Sequence, residues 1–152
     1  MVACSRIGEN VKRLYVVETV GISLNELPLF LSYLGTAVGL TLVFMVVYMW
    51  VTPHDEINLI RDNNAAASIA MVGSLIGFSL PLVSAIAHSA ALLDCVLWGL
   101  IALVIQIAVF YLVRLPVPKI SERIEKGEIA SGIWLGGASL TGGLLNAACM
   151  TS

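Results

Sequence analysis

Charge is what this sequence has least of. Asp, Glu, Lys and Arg make up 12% of its 152 residues, while 59% are hydrophobic. Soluble domains average about 25% charged and about 45–50% apolar, so these charges cannot cover a water-facing surface of the chain's own size. A net charge of −2, with no basic stripe interleaved with aromatics, argues against a nucleic-acid partner. The three cysteines, Cys4, Cys95 and Cys149, are odd in number and far apart, which argues against a disulfide framework and a zinc site. There is no nucleophile–base pair, HExxH or glycine-rich phosphate loop after a strand. No catalytic residue, metal or cofactor is therefore expected. Arg6, Lys12 and Arg13 precede Val16, Val17 and Val20, but Glu18 and Thr19 break that apolar run, so no cleavable signal is expected.

What is present is four long uncharged runs. They cover Leu27–Thr52, Ala65–Ala87, Cys95–Val113 and Ile129–Met150, each longer than the roughly 18 apolar residues that mark a spanning helix. The expected class is an all-α membrane protein with spans at about 27–51, 65–87, 92–115 and 129–150. Pro28 suits the first turn of the first span, where a missing N–H does no harm. Pro53 stops that span, and Pro116 and Pro118 close the third. Residues 1–26 form a polar arm. Ile7, Val11 and Leu14 share one face of it, as in a short interfacial helix, although a frayed terminus reads equally well. Ile57 and Ile60 give the 53–64 loop one apolar face, and Ile120 and Ile124 do the same for the charged loop after the third span.

The two halves resemble each other. Shifted by 64 residues, Ile60 falls on Ile124, Ala66 on Ala130, Ile69 on Ile133 and Gly73 on Gly137. This suggests two parallel repeats of a helix–charged loop–helix hairpin, as in parallel-repeat transporters. Chance recurrence of small residues is the alternative. Arg61, Arg114, Lys119, Arg123 and Lys126 lie in or beside the two charged loops, against Arg6, Lys12 and Arg13 on the side of the termini. Basic residues favour the cytoplasm, so loops 53–64 and 116–128 are expected there, with both termini outside. Arg61, Asn64, Lys119, Arg123 and Glu128 mark these loops, and Asn63, Asn64 and Glu128 are placed to cap the helices that follow.

Membrane helices associate by close packing, which small residues permit. Gly35 and Gly39, Ala66, Ala70, Gly73 and Gly77, and Gly132, Gly136 and Gly137 are the packing candidates, with Gly142 and Gly143 further along the last run. Polar groups inside spans are costly and often functional. Gln106, Asn146, Asp94, Pro81 and Ser74 define a candidate polar path, while helix-to-helix bonding and capping are the plainer readings. Pro81 frees the carbonyl of Gly77, which Ser74 or Ser84 is placed to satisfy. His88, Asp94, Cys95 and Asn146 all belong near the outer face.

The run from Asn64 to Pro81 (NAAASIAMVGSLIGFSLP) resembles the signature of a family of small bacterial inner-membrane proteins, DUF350 (UPF0719). Asp94, Trp98 and Gln106 resemble its third span. Ala130–Gly137 and the closing Gly143–Met150 resemble its last. The similarity covers about Leu29–Met150. It implies a four-span inner-membrane protein built from a duplicated hairpin, and no particular activity. Two functions compete. One is a glycine-rich bundle that assembles with itself or with other membrane proteins, in envelope maintenance. The other is an oligomeric channel or transporter whose path runs near Gln106 and Pro81.

Overall fold

The computed structural model describes the backbone of residues 2–52 and 56–151, and side chains from residue 25 onward. The amphipathic face read from Ile7, Val11 and Leu14 lies outside the described side chains, as does the Pro53 stop. Among the described residues there are six helices and no strand: α1 (Val2–Val51), α2 (Glu56–Arg61), α3 (Ala65–His88), α4 (Leu92–Arg114), α5 (Ile120–Glu125) and α6 (Ile129–Cys149). The chain divides into two compact units, Met1–Gly35 and Thr36–Ser152.

In the first unit, Pro28 stands inside α1 and not at its first turn. Proline removes one backbone hydrogen bond, and the helix continues because the residues on either side still bond. The Ser32 hydroxyl donates to the Pro28 carbonyl at 2.8 Å. Leu27, Leu29, Phe30, Leu31 and Leu34 are all exposed.

Among the described residues, three helical stretches are long and apolar enough to cross a membrane: Asn25–Val51, Ala65–His88 and Leu92–Arg114. The fourth uncharged run forms the helix α6, whose 21 residues reach about 32 Å at about 1.5 Å per residue. It falls short on apolarity, not length. Its five glycines, with Ser131, Ser139, Thr141 and Asn146, dilute the leucines and isoleucines that give the other three their hydropathy.

In the second unit, α3 and α6 form the central pair. Ala66 lies against Gly132, Gly73 against Gly136 and Gly77 against Gly143. Contacts ascend both helices together, so the two run parallel. α4 packs on both members of the pair. From Thr36 onward α1 reaches the bundle through large side chains. Phe44 stacks on Phe78 with ring centroids 4.5 Å apart and planes 7° from parallel. Tyr48 meets Phe110 edge-on at 5.9 Å. Leu40 fills the notch over Gly99, where an added Cβ would come within 2.5 Å of Leu40 Cδ1.

The two charged segments have closely similar backbones. α2 and α5 are six residues each and begin 64 positions apart. Each is followed by a left-handed residue, Asn63 at φ 61° and Gly127 at φ 80°. That conformation suits glycine and is tolerated by asparagine. The caps follow at Asn64 and Glu128, both extended, with ψ of 104° and 98°. The apolar face read from Ile120 and Ile124 is fully buried, whereas Ile57 remains exposed.

Asn64 ties these parts together. Its Oδ1 accepts from the Ala67 N–H at 3.1 Å. Its Nδ2 donates to the carbonyls of Ile124 and Glu125 at 2.9 and 3.1 Å. One side chain thus caps α3 and closes the end of α5. Glu128, expected to cap α6, makes no cap bond, because its carboxylate takes the Arg123 guanidinium at 2.6 Å. Lys119 pairs with Glu122 at 3.4 Å, and Arg61 is exposed. Replacing Asn64 by alanine is expected to cost about 1–2 kcal/mol through the lost cap and cross-links. Faster amide exchange at the start of α3 and the end of α5, relative to wild type, is the measurement. Unchanged exchange would refute the role.

Candidate functional site

The α3–α6 seam is built by glycines that leave no room for a side chain. A Cβ on Gly73 would strike the Gly136 backbone, one on Gly77 the Ser139 carbonyl, one on Gly132 the Ala66 carbonyl, and one on Gly143 the Gly77 carbonyl. Ala66 and Ala70 are completely buried beside them. Of the packing candidates, Ala66, Ala70, Gly73, Gly77, Gly132 and Gly136 all lie in this seam. Gly35, Gly39 and Gly137 have nothing within 4 Å of an added Cβ among the described residues. Gly99, missed from sequence because it stands alone among large residues, does pack.

Pro81 is buried in α3, which continues through it. Neither serine expected to satisfy the Gly77 carbonyl does so. Ser74 Oγ donates to Ser139 Oγ at 3.2 Å, and Ser84 Oγ donates to the Ala147 carbonyl at 3.2 Å. The freed carbonyl instead rests over Gly143, where a Cα–H can serve as weak donor.

Two members of the expected polar path meet in the bundle. Gln106, buried in α4, donates from Nε2 to the Ser139 carbonyl at 3.1 Å, and Ser74 bonds the hydroxyl of the same serine. The chain of polar groups goes on to residues that sequence reading missed. The Tyr48 phenol faces both Ser74 and Glu56, yet makes no hydrogen bond of good geometry among the described residues. Glu56, opening α2, is fully buried. A buried carboxylate is costly in low dielectric. Glu56 was passed over because it sits in a polar loop, where charge reads as solvated, and Ser139 because it reads as one more small residue.

Asn146 and Asp94 are half-buried and take no part in this chain. Asp94 sits in the first turn of α4, but the cap position is Ala91, with no side-chain cap bond. A small cavity of about 90 Å³ is lined by Ser84, His88, Ser89, Trp98 and Met150, and not by Asp94, Cys95 or Asn146. The His88 ring instead bonds the Ser84 carbonyl through Nδ1, at 2.9 Å.

A long concavity lies on the surface of the central pair. It is a groove of about 450 Å³, walled by α3 and α6 alone. Its walls pair residues 64 apart: Ile69 with Ile133, Val72 with Gly136, Gly73 with Gly137, and Ile76 with Leu140. The lining is almost wholly apolar, so it suits a helix or an acyl chain rather than a polar ligand.

Long apolar helices joined by short charged segments, with a glycine seam at their centre, define an all-helical membrane protein. The chain belongs to the DUF350 family, whose model, a domain of unknown function, matches residues 22–150. It is 44% identical over 128 residues to the UPF0719 inner membrane protein YjfL of Escherichia coli K12. That match covers 84% of this chain and 97% of the relative. The protein of the same name from E. coli O157:H7 is equally similar. No solved structure matches.

Proposed function

We propose that this chain is a four-span protein of the bacterial inner membrane that works by lateral assembly, with itself or with another membrane protein. The observation that carries this reading is the open groove on the α3–α6 pair. Helices in lipid associate by fitting small residues closely, and the groove floor holds Gly137 with nothing over it. The inner-membrane site follows from the resemblance to YjfL.

α6 crosses as the fourth span despite its lower apolarity. Its small residues Ser131, Gly132, Gly136, Ser139 and Gly143 are buried, while Ile133, Trp134, Leu144 and Leu145 are exposed. The small groups are therefore sheltered by protein and the large apolar ones meet lipid. The matching pair of charged segments and the 64-residue pairing along the groove support two parallel repeats. With four crossings, the loops bearing Arg61, Lys119, Arg123 and Lys126 face the cytoplasm and both termini face outward.

Native mass spectrometry of the purified protein in nanodiscs tests the assembly. Defined oligomers, or a co-purifying membrane protein in fixed ratio, are expected. A bare monomer from membranes in which no partner co-purifies would overturn it.

A second reading, an oligomeric channel or transporter, is favoured by the buried polar chain from Glu56 through Tyr48, Ser74 and Ser139 to Gln106. On this reading Gln106→Leu lowers ion or solute flux in proteoliposomes severalfold. If wild-type protein shows no flux, or the variant matches it, Gln106 is interhelical glue, worth about 0.6–2 kcal/mol, and the path is abandoned.

A further inference from the structure

An α-helix pair has a groove on each side. α4 packs on both α3 and α6 yet lines no part of the open groove, so it fills the opposite one. It does so with a face that includes Ala102, Gln106 and Phe110, all buried. The residues 64 positions earlier are Val38, Leu42 and Val46 of α1. These are 52%, 56% and 60% exposed. α1 packs into its own bundle through a different face, Leu40, Phe44 and Tyr48. The chain thus contains one groove filled by one helix face, and the counterpart of each left empty.

We infer that a second copy supplies the missing contact: α1 of one copy lies in the open α3–α6 groove of the other through Val38, Leu42 and Val46, reciprocally, as a two-fold dimer. This rests on the assembly and two-repeat readings above, and names their interface. The repeated walls, Ile69 with Ile133 and Ile76 with Leu140, present similar surfaces on either side of the incoming helix. Gly137 in the floor lets that helix approach closely, the condition for association in lipid. Both surfaces are apolar, so no buried charge opposes the contact.

The test uses the full chain with Cys4, Cys95 and Cys149 replaced. Two differently tagged copies are co-expressed, one carrying Leu42→Cys and the other Gly137→Cys, and membranes are oxidised. A mixed disulfide dimer is expected, severalfold above a control in which Val104→Cys, on the outward face of α4, replaces Leu42→Cys. In parallel, wild type and Gly137→Leu are weighed in nanodiscs. The leucine has open space in the single chain, so helicity should be unchanged while the dimer gives way to monomer. Wild-type oligomers without the cross-link, or oligomers that survive Gly137→Leu, overturn the groove contact and leave assembly standing. A wild-type monomer overturns both. A monomer carrying phospholipid that Gly137→Leu expels shows the groove to be a lipid's, and a cross-link to a different polypeptide assigns it to another protein. Either result also overturns the inference.

Discussion

Replacing Gly143 by valine is expected to destabilise the bundle by about 3 kcal/mol or more. The reason is local and steric. The position of its Cβ is occupied by the Gly77 carbonyl, a backbone group that cannot swing aside as a side chain would. Pro81 leaves that carbonyl without its helical N–H, and Gly143 is what it rests on. Valine would both push the helices apart and leave the oxygen facing methyl groups. Gly137→Val is the control. Its Cβ meets nothing within 4 Å, so the change should stay within about 0.5 kcal/mol in the single chain. Unfolding in mixed micelles, followed by circular dichroism, measures both. Equal stability of the two variants would remove the glycine seam as the main contact of the fold.

Phe44→Ala carries the second large effect, about 3–5 kcal/mol. The ring is completely buried and stacked on Phe78. Burying it in protein rather than in lipid gains little transfer energy, so the loss comes from forfeited contacts and the cavity left behind. α1 beyond Thr36 is held by a few large side chains, and removing one should loosen that stretch specifically. Amide exchange along Thr36–Val51 should rise while the α3–α6 seam stays protected. Val46→Ala, at an exposed position on the same helix, should do neither in the single chain. A Phe44→Ala variant as stable as Val46→Ala would show that α1 is held by something other than this ring stack.

Much of the fold was legible because membrane helices write themselves in long uncharged runs. Residues 65–87 became α3 and 92–115 became α4, each to within a residue at either end. Capping by Asn64 was legible from its residue type and place. What failed shares one cause: each residue was read without its neighbours. Pro28 has the residue type that begins helices, and only the backbone on its N-terminal side shows that it stands inside one. Glu128 was taken as a cap, but Arg123 competes for it. Gly35 and Gly39 have the spacing of packing glycines, and spacing alone does not say whether a helix lies opposite. Glu56 and Tyr48 were missed because burial of a loop carboxylate and a phenol near a helix end is decided by what folds over them.

By itself, then, the sequence determined the secondary structure and the membrane class. Both depend on local quantities: how apolar a run is, how long it is, and what breaks it. Only the tertiary structure decided which glycines touch, which side of α1 is used, and that Ser139 gathers both Ser74 and Gln106. These depend on rotation and depth of one helix against another. Several faces of each helix are apolar enough for either protein or lipid, so hydropathy cannot choose between them, and the choice falls to steric fit.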